Sequence, residues 1–169
     1  MSETLLDFGA AIEGSGVGLW IAPLMTALAF GYRDTAEALV KRGARVDSLP
    51  KAAGLGRLPD VERFLPAASA LDRHRGLALA AQHGHAGIVR LLLDAGEDPN
   101  RYNPKGNHGH STPLHQAALY GHRDVVRLLV ERGARLDIED SVYHGTPLGW
   151  ALHEGRTEIA EYLRSQSRP

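Results

Sequence analysis

The stretch that most constrains the fold is residues 112–140, because it has the pattern of two short amphipathic helices. Its sequence is TPLHQAALYGHRDVVRLLVERGARLDIED. Thr112 and Pro113 are typical of the first positions of a helix, and Gly121 is typical of the residue that ends one. A second apolar stripe at helical spacing follows in residues 125–130. Isolated helices below about 12 to 15 residues are marginal in water, so this unit needs neighbours to pack against.

The same unit recurs along the chain in less regular form. Before each glycine between two helices the pattern is Leu-x-x-Ala, and apolar pairs follow it. The interhelix glycines lie 25, 28, 37 and 34 residues apart, at Gly31, Gly56, Gly84, Gly121 and Gly155. Self-similarity of this kind is typical of repeat proteins whose units stack into a solenoid. We therefore predict an all-α solenoid of about five helix-turn-helix repeats.

The fourth copy, TPLHQAALYGHRDVVRLLVERGARLD, resembles an ankyrin repeat in its TPLH, AA, GH, VV and GA-x-x-D signatures. The third copy, LALAAQHGHAGIVRLLLDAGEDPN, matches without the Thr-Pro start, and the other three match more weakly, the second least. The resemblance covers about four fifths of the chain. It implies linkers that project as β-hairpin-like fingers, and a concave face of inner helices and fingers that binds protein. The function this implies is that of a non-enzymatic module that binds an unknown protein or peptide partner. Repeats three to five are expected to form most of the binding surface.

The lengths of the linkers predict an uneven set of fingers. Residues 47–49 leave no room for a finger and residues 66–76 are too few for one, so both are expected to be plain turns. Residues 101–111, RYNPKGNHGHS, exceed the usual finger by about three residues and are rich in turn formers. A long finger is expected to protrude there, and a second finger follows at residues 138–145.

The two ends are expected to differ from the interior of the array. Residues 1–17 are predicted to hold a short N-terminal helix and a Gly/Ser link, either a cap or the remnant of a degenerate repeat. Residues 18–169 form the predicted array. At its C-terminal end Arg164, Ser165 and Gln166 replace apolar residues of the fourth copy, which predicts the polar cap that a solenoid needs for solubility.

Composition and motifs exclude several classes of function. The chain has 169 residues, a formal net charge of −1 and no cysteine, so nothing attracts it generally to nucleic acid or anionic membranes. Acidic residues near the N-terminus and an apolar run of residues 17–30 are not typical of a signal peptide or a membrane span. Nucleotide-binding and hydrolase motifs are missing from the sequence. We expect a cytoplasmic monomer, not a homodimer, with no enzyme activity, no cofactor, and no nucleic-acid or membrane partner.

The residues that precede each interhelix glycine are expected to face the concavity, because they are out of phase with the buried Leu and Ala face. Aromatic side chains there and in the two fingers favour partner binding. The predicted partner-binding residues are Phe30, Leu55, Gln82, His83, Tyr102, Lys105, His108, His110, Leu119, Tyr120, Tyr143, His144, His153 and Glu154. For Phe30 a core position is equally compatible with the pattern. Trp150 is expected to fill the core.

Nine histidines require an explanation. The resemblance implies structural roles for His115, in the TPLH motif, and for His85 and His122, in the GH motif. His108, His110 and His144 lie in the two fingers, and stacked fingers could bring three imidazoles together as zinc, nickel or copper ligands. Two alternatives therefore stay open: a metal or small enzymatic site at these histidines, and a structural protein that self-associates through repeats one and two.

Overall fold

The computed structural model describes residues 12–13 and 22–167. These residues form ten α-helices in five helix-turn-helix pairs and no β-strand, which confirms the all-α repeat architecture. The helices are α1 Pro23–Ala29, α2 Arg33–Lys41, α3 Leu49–Gly54, α4 Leu58–Phe64, α5 Ala70–His83, α6 Ala86–Asp94, α7 Pro113–Tyr120, α8 Arg123–Glu131, α9 Pro147–His153 and α10 Thr157–Gln166. Odd-numbered helices are the inner ones. The predicted N-terminal helix lies outside the described residues, and so does most of the 1–17 segment.

The helix ends follow the local sequence. The Thr112 amide and hydroxyl both lie against Nδ1 of His115, at 3.2 and 2.8 Å, and close the first turn of α7. The Thr146 hydroxyl accepts a hydrogen bond from the Gly149 amide at 3.2 Å and caps α9 in the same way. Gly121 ends α7 with a left-handed φ of 82°, which side chains disfavour. In the described part of the chain none of the helices is both long and apolar enough to cross a membrane.

The core consists of two hydrophobic clusters that run between the helix layers. The larger extends through repeats two to five, and the buried leucines in it are Leu49, Leu77, Leu92, Leu114, Leu128, Leu129 and Leu163. The smaller attaches repeat one to α5 and contains Leu24, Met25, Leu28, Leu39 and Leu79. Each repeat therefore buries its apolar face against a neighbour, as the shortness of the helices requires. The C-terminal residues 164–166 are exposed, as predicted.

Residues 66–76 do not form the plain turn that was predicted. Leu65–Ala67 is a short 3₁₀ helix, and α5 already begins at Ala70. The cause is a helix cap, since the Ser69 hydroxyl accepts a hydrogen bond from the Asp72 amide at 3.0 Å. The inner helix of repeat three thus gains about two turns at its N-terminal end, which take the place of the missing finger.

Residues 101–111, named the long loop from here on, do not protrude as predicted. The loop folds back over the inner helices, with Asn107 and Ser111 buried. The side-chain Nδ2 of Asn107 donates a hydrogen bond to Oε1 of Gln82 at 3.3 Å. Nε2 of His108 donates to the Ala29 carbonyl at 2.9 Å. The short linkers before and after repeat two leave this part of the concave face uncovered. Buried polar groups need partners, and the long loop supplies them.

Candidate binding groove

The concave face of the first three repeats is filled by the protein's own side chains. The Gln82 amide donates to the Ala29 carbonyl at 3.0 Å, and Nε2 of His83 donates to the Leu28 carbonyl at 2.8 Å. Only 1% of Gln82 and 7% of His83 are exposed. The expectation that these two residues belong to an open binding surface is therefore wrong. The last carbonyls of a helix lack partners within it. At the end of α1 the Ala27 and Leu28 carbonyls also accept amides of the following turn, whereas the Ala29 carbonyl depends on donors from later in the chain.

Histidines tie the remaining turns together as the resemblance implied. Nε2 of His85 donates to the Gly54 carbonyl at 3.1 Å, and Nε2 of His122 donates to the Gln82 carbonyl at 2.8 Å. Nε2 of His115 donates to the Gly145 carbonyl of the next finger at 3.0 Å. A carbonyl oxygen only accepts, so each ring carries its proton on Nε2. These rings are structural ties between successive repeats.

Burial makes these ties sensitive to acid. Loss of hydration lowers the pKa of five imidazoles, and the carbonyl hydrogen bonds offset this only in part. They are His83, His85, His108, His115 and His122. The positive charge of Arg33 further lowers the pKa of three of these imidazoles, and that of Arg156 lowers the pKa of one.

We expect the free energy of unfolding to fall as the pH drops below about 6.5, the value for an unfolded histidine. In that range the unfolded chain binds more protons than the folded one, so stability rises with pH and is complete above it. Urea denaturation at pH 7.5, 6 and 5 measures the effect. His83→Gln should reduce the slope, since an amide can still donate to Leu28 without titrating. His153→Gln is the control, because 84% of that side chain is exposed. Equal slopes for both variants would contradict the assignment.

The open part of the concave face is a groove of about 760 Å³ at repeats four and five, named the groove from here on. The long loop forms one wall, and residues 138–145, named the last finger from here on, form another. Helices α7 and α9 form the floor. Its lining residues are His108, His110, Gln116, Leu119, Tyr143, Gly145, Gly149, Trp150, His153 and Glu154. Six of these were predicted as partner-binding residues from the sequence. Gln116 and Trp150 were not.

Trp150 is half-buried, which corrects the prediction that it fills the core. Its ring packs edge-to-face with the His115 ring, with centroids 5.1 Å apart. The His110 ring lies tilted against it, with centroids 5.8 Å apart. The ring also lines the groove. Its Nε1 donates to the carboxylate of Asp140 at 3.0 Å, so the orientation of the indole depends on the finger.

Asp140 organises the last finger. The amides of Val142 and Tyr143 donate to its Oδ1 at 3.0 and 2.7 Å, and the amide of Gly145 donates to its Oδ2 at 2.9 Å. Burial alone would raise the pKa of the Asp140 carboxyl. Its hydrogen-bond donors have the opposite effect, which is larger, and the pKa is lowered to about 2. The carboxylate has no exposed surface. It fixes both the Tyr143 wall and the Trp150 floor of the groove.

Comparison with known proteins decides the family. A family model described as ankyrin repeats (3 copies) matches residues 51–140 and again residues 77–168, which is more than half of the chain. The chain belongs to the ankyrin-repeat family. Among its relatives, cyclin-dependent kinase 4 inhibitor B of Rattus norvegicus is 33% identical over 119 residues, which cover 53% of this chain and 91% of that protein.

Two other relatives are much longer than this ankyrin-repeat chain. Ankyrin repeat and SAM domain-containing protein 6 of Mus musculus is 33% identical over 94 residues, or 56% of this chain and 10% of that protein. Ankyrin repeat and KH domain-containing protein mask-1 of Caenorhabditis elegans is 31% identical over 169 residues, or 95% of this chain and 6% of that protein. This chain therefore corresponds to a small part of each.

The remaining predicted contacts of the ankyrin-repeat array lie outside the groove. Phe30 is 47% exposed and stacks on Tyr32, so it is a surface residue and not a core residue. Tyr102 is partly exposed and its hydroxyl donates to the Glu139 carbonyl at 2.6 Å, which joins the long loop to the last finger. Tyr120 is half-buried, with its hydroxyl over Gly31. Leu55 is also half-buried, whereas Lys105 is exposed.

The finger histidines do not form the three-imidazole arrangement proposed for a metal. Within residues 12–13 and 22–167, no group of three or more potential ligands is placed to hold a metal ion. Nε2 of His108 is already bonded to the Ala29 carbonyl. The exposed side chain of His144 lies beside Glu139 instead, with Nδ1 and the carboxylate 3.8 Å apart.

Proposed function

We propose that this protein is a non-enzymatic interaction module that binds a protein or peptide partner in the groove. The observation that carries the proposal is the contrast within the concave face: repeats one to three are filled internally, while repeats four and five leave an open, aromatic cleft. Concave clefts with aromatic and apolar linings are the usual places for ligands. Among the relatives, cyclin-dependent kinase 4 inhibitor B is named for its action on another protein.

The proposed site is a reduced form of the set expected from the sequence. It keeps the predicted residues that line the groove and adds Gln116 and Trp150. Phe30, Tyr102, Lys105 and His144 stay as predicted contacts around it, because they are exposed or partly exposed. The proposal includes the monomeric, cytoplasmic state expected from the sequence.

Selection from a displayed random-peptide library tests the proposal. We expect the selected peptides to shift the amide resonances of α7, α9 and the last finger. Tyr143→Ala should weaken their binding about tenfold or more, as loss of an aromatic hot spot does. The side chain of Tyr143 is largely exposed, so the variant should keep its melting temperature.

The matched control is Tyr32→Ala, which removes another exposed tyrosine, at the opposite end of the array. It should leave the affinity of the selected peptides unchanged. Peptides that bind both variants like the unmodified protein, or that shift only the outer helices, would show that the groove is not the binding site.

A further inference from the structure

The groove combines aromatic rings with a carboxylate, and one arginine, Arg156, is held beside it by a hydrogen bond from its Nε to the Leu119 carbonyl at 3.1 Å. Trp150 and Tyr143 contribute the rings, and Glu154 contributes a carboxylate. Among the described residues, no lysine or arginine side chain lines the groove. Aromatic faces carry negative quadrupole charge, so the rings and the carboxylate attract the same kind of ligand group.

Glu154 directly follows α9 and lines the groove together with Trp150. The two residues are four positions apart, and the Glu154 amide donates to the Trp150 carbonyl at 3.1 Å. The side chain of Glu154 is 39% exposed, and His153 lies 3.9 Å from its Oε1. No lysine or arginine within the described ranges pairs with it. The charge is therefore available to a ligand.

We propose that the groove binds the side chain of a basic residue, arginine above all, presented by a partner peptide. The inference rests on the proposed function. A guanidinium is planar, stacks on aromatic rings, and presents five N–H donors in one plane. It can therefore contact the Trp150 and Tyr143 rings while it donates to the Glu154 carboxylate. The apolar stem of the same side chain packs on Leu119.

The test uses peptides selected from a displayed library for binding that Tyr143→Ala abolishes. Each basic residue in them is replaced by citrulline, which keeps the shape of arginine but has no charge. We expect enrichment of arginine in the peptides and a loss of affinity of about tenfold on replacement with citrulline. Glu154→Gln should weaken the arginine peptides about fivefold, given that the carboxylate is partly exposed.

A double-mutant cycle separates a direct contact from a general effect of charge. In Glu154→Gln the change from arginine to citrulline should cost much less than in the unmodified protein, because the contact is already lost. Glu161→Gln is the matched control, since it removes the same charge from the exposed face of α10. It should leave both peptides unaffected.

The outcomes distinguish this inference from the proposed function. Groove-dependent peptides that contain no basic residue, or that bind equally well with citrulline, would overturn the inference while the proposed function stands. Equal losses for Glu154→Gln and Glu161→Gln would also overturn it, because long-range charge would then explain the effect. If no selected peptide depends on Tyr143, both the inference and the proposed function fail.

Discussion

Replacing Asp140 by alanine is expected to lower the free energy of unfolding by about 3 kcal/mol, because it leaves four part-buried donors without their acceptor. Three amides of the last finger and the Trp150 indole converge on this one carboxylate. Alanine offers none of them a partner. Urea denaturation at pH 7 measures the change.

The matched control is Asp137→Ala, three residues earlier in the chain. Its carboxylate is exposed and binds the Arg135 guanidinium, at 2.8 and 3.0 Å. Exposed ion pairs contribute little, so this variant should unfold at the same urea concentration as the unmodified protein. Equal stability of the two variants would contradict the role assigned to Asp140.

Asp140→Ala should also affect the groove itself. Without the carboxylate, neither the position of Tyr143 nor the tilt of Trp150 is fixed. We therefore expect groove-selected peptides to lose affinity even at temperatures where the variant is fully folded. The Trp150 indole N–H resonance should move at the same time, because its acceptor is gone.

The helix pairs could be predicted from the sequence because each depends on local patterns. Thr112, Pro113 and Gly121 begin and end α7 in the structure as they do in the pattern. The family signatures add the hydrogen bonds of His115 and His122, which the structure contains. Local capping and repeat periodicity require no knowledge of the rest of the fold.

The sequence contains a local pattern that predicts the early start of α5, but the alignment of the repeats pointed to a later start. Ser69 and Asp72 form the pattern of a helix cap, Ser-x-x-Asp, directly before an amphipathic stretch. Alignment on Gly84 placed the beginning of the helix at Leu77, because the other inner helices are shorter. The cap, and not the repeat register, determines where this helix begins.

The position of the long loop could not be predicted from local patterns. His108 bonds to the Ala29 carbonyl, 79 positions earlier in the chain. Such a contact depends on how closely distant repeats pack. Repeats one and two are in close contact at Gly54, where a Cβ atom would lie 3.1 Å from both methyl groups of Leu28. The filled concave face is thus a consequence of packing between distant repeats.

The irregular linkers and the single groove have a common cause. Two missing fingers let the long loop lie over repeats one to three, where it covers Gln82 on the concave face. Near the C-terminal end of the same loop, the His110 carbonyl accepts a hydrogen bond from the Ser141 amide at 2.8 Å. One loop therefore closes the N-terminal part of the face and builds a wall of the groove in the C-terminal part.

Gly84→Ala is expected to destabilise the protein by about 3 kcal/mol, more than the backbone conformation alone explains. Gly84 has a φ of 80°, and a left-handed alanine costs about 1 to 2 kcal/mol. A Cβ at this position would also lie 2.5 Å from Nδ1 of His122. The ring has to move away from the Gln82 carbonyl, and the lost hydrogen bond adds about 1 kcal/mol.

Gly133→Ala separates the two contributions. Its φ is 84°, nearly the same as that of Gly84, but no atom lies within 4 Å of the added Cβ. We expect this variant to lose only the conformational term of about 1 to 2 kcal/mol. Urea denaturation of both variants at pH 7.5 gives the difference, which measures the contact with His122. If both lose the same free energy, the histidine tie between repeats three and four contributes nothing to stability.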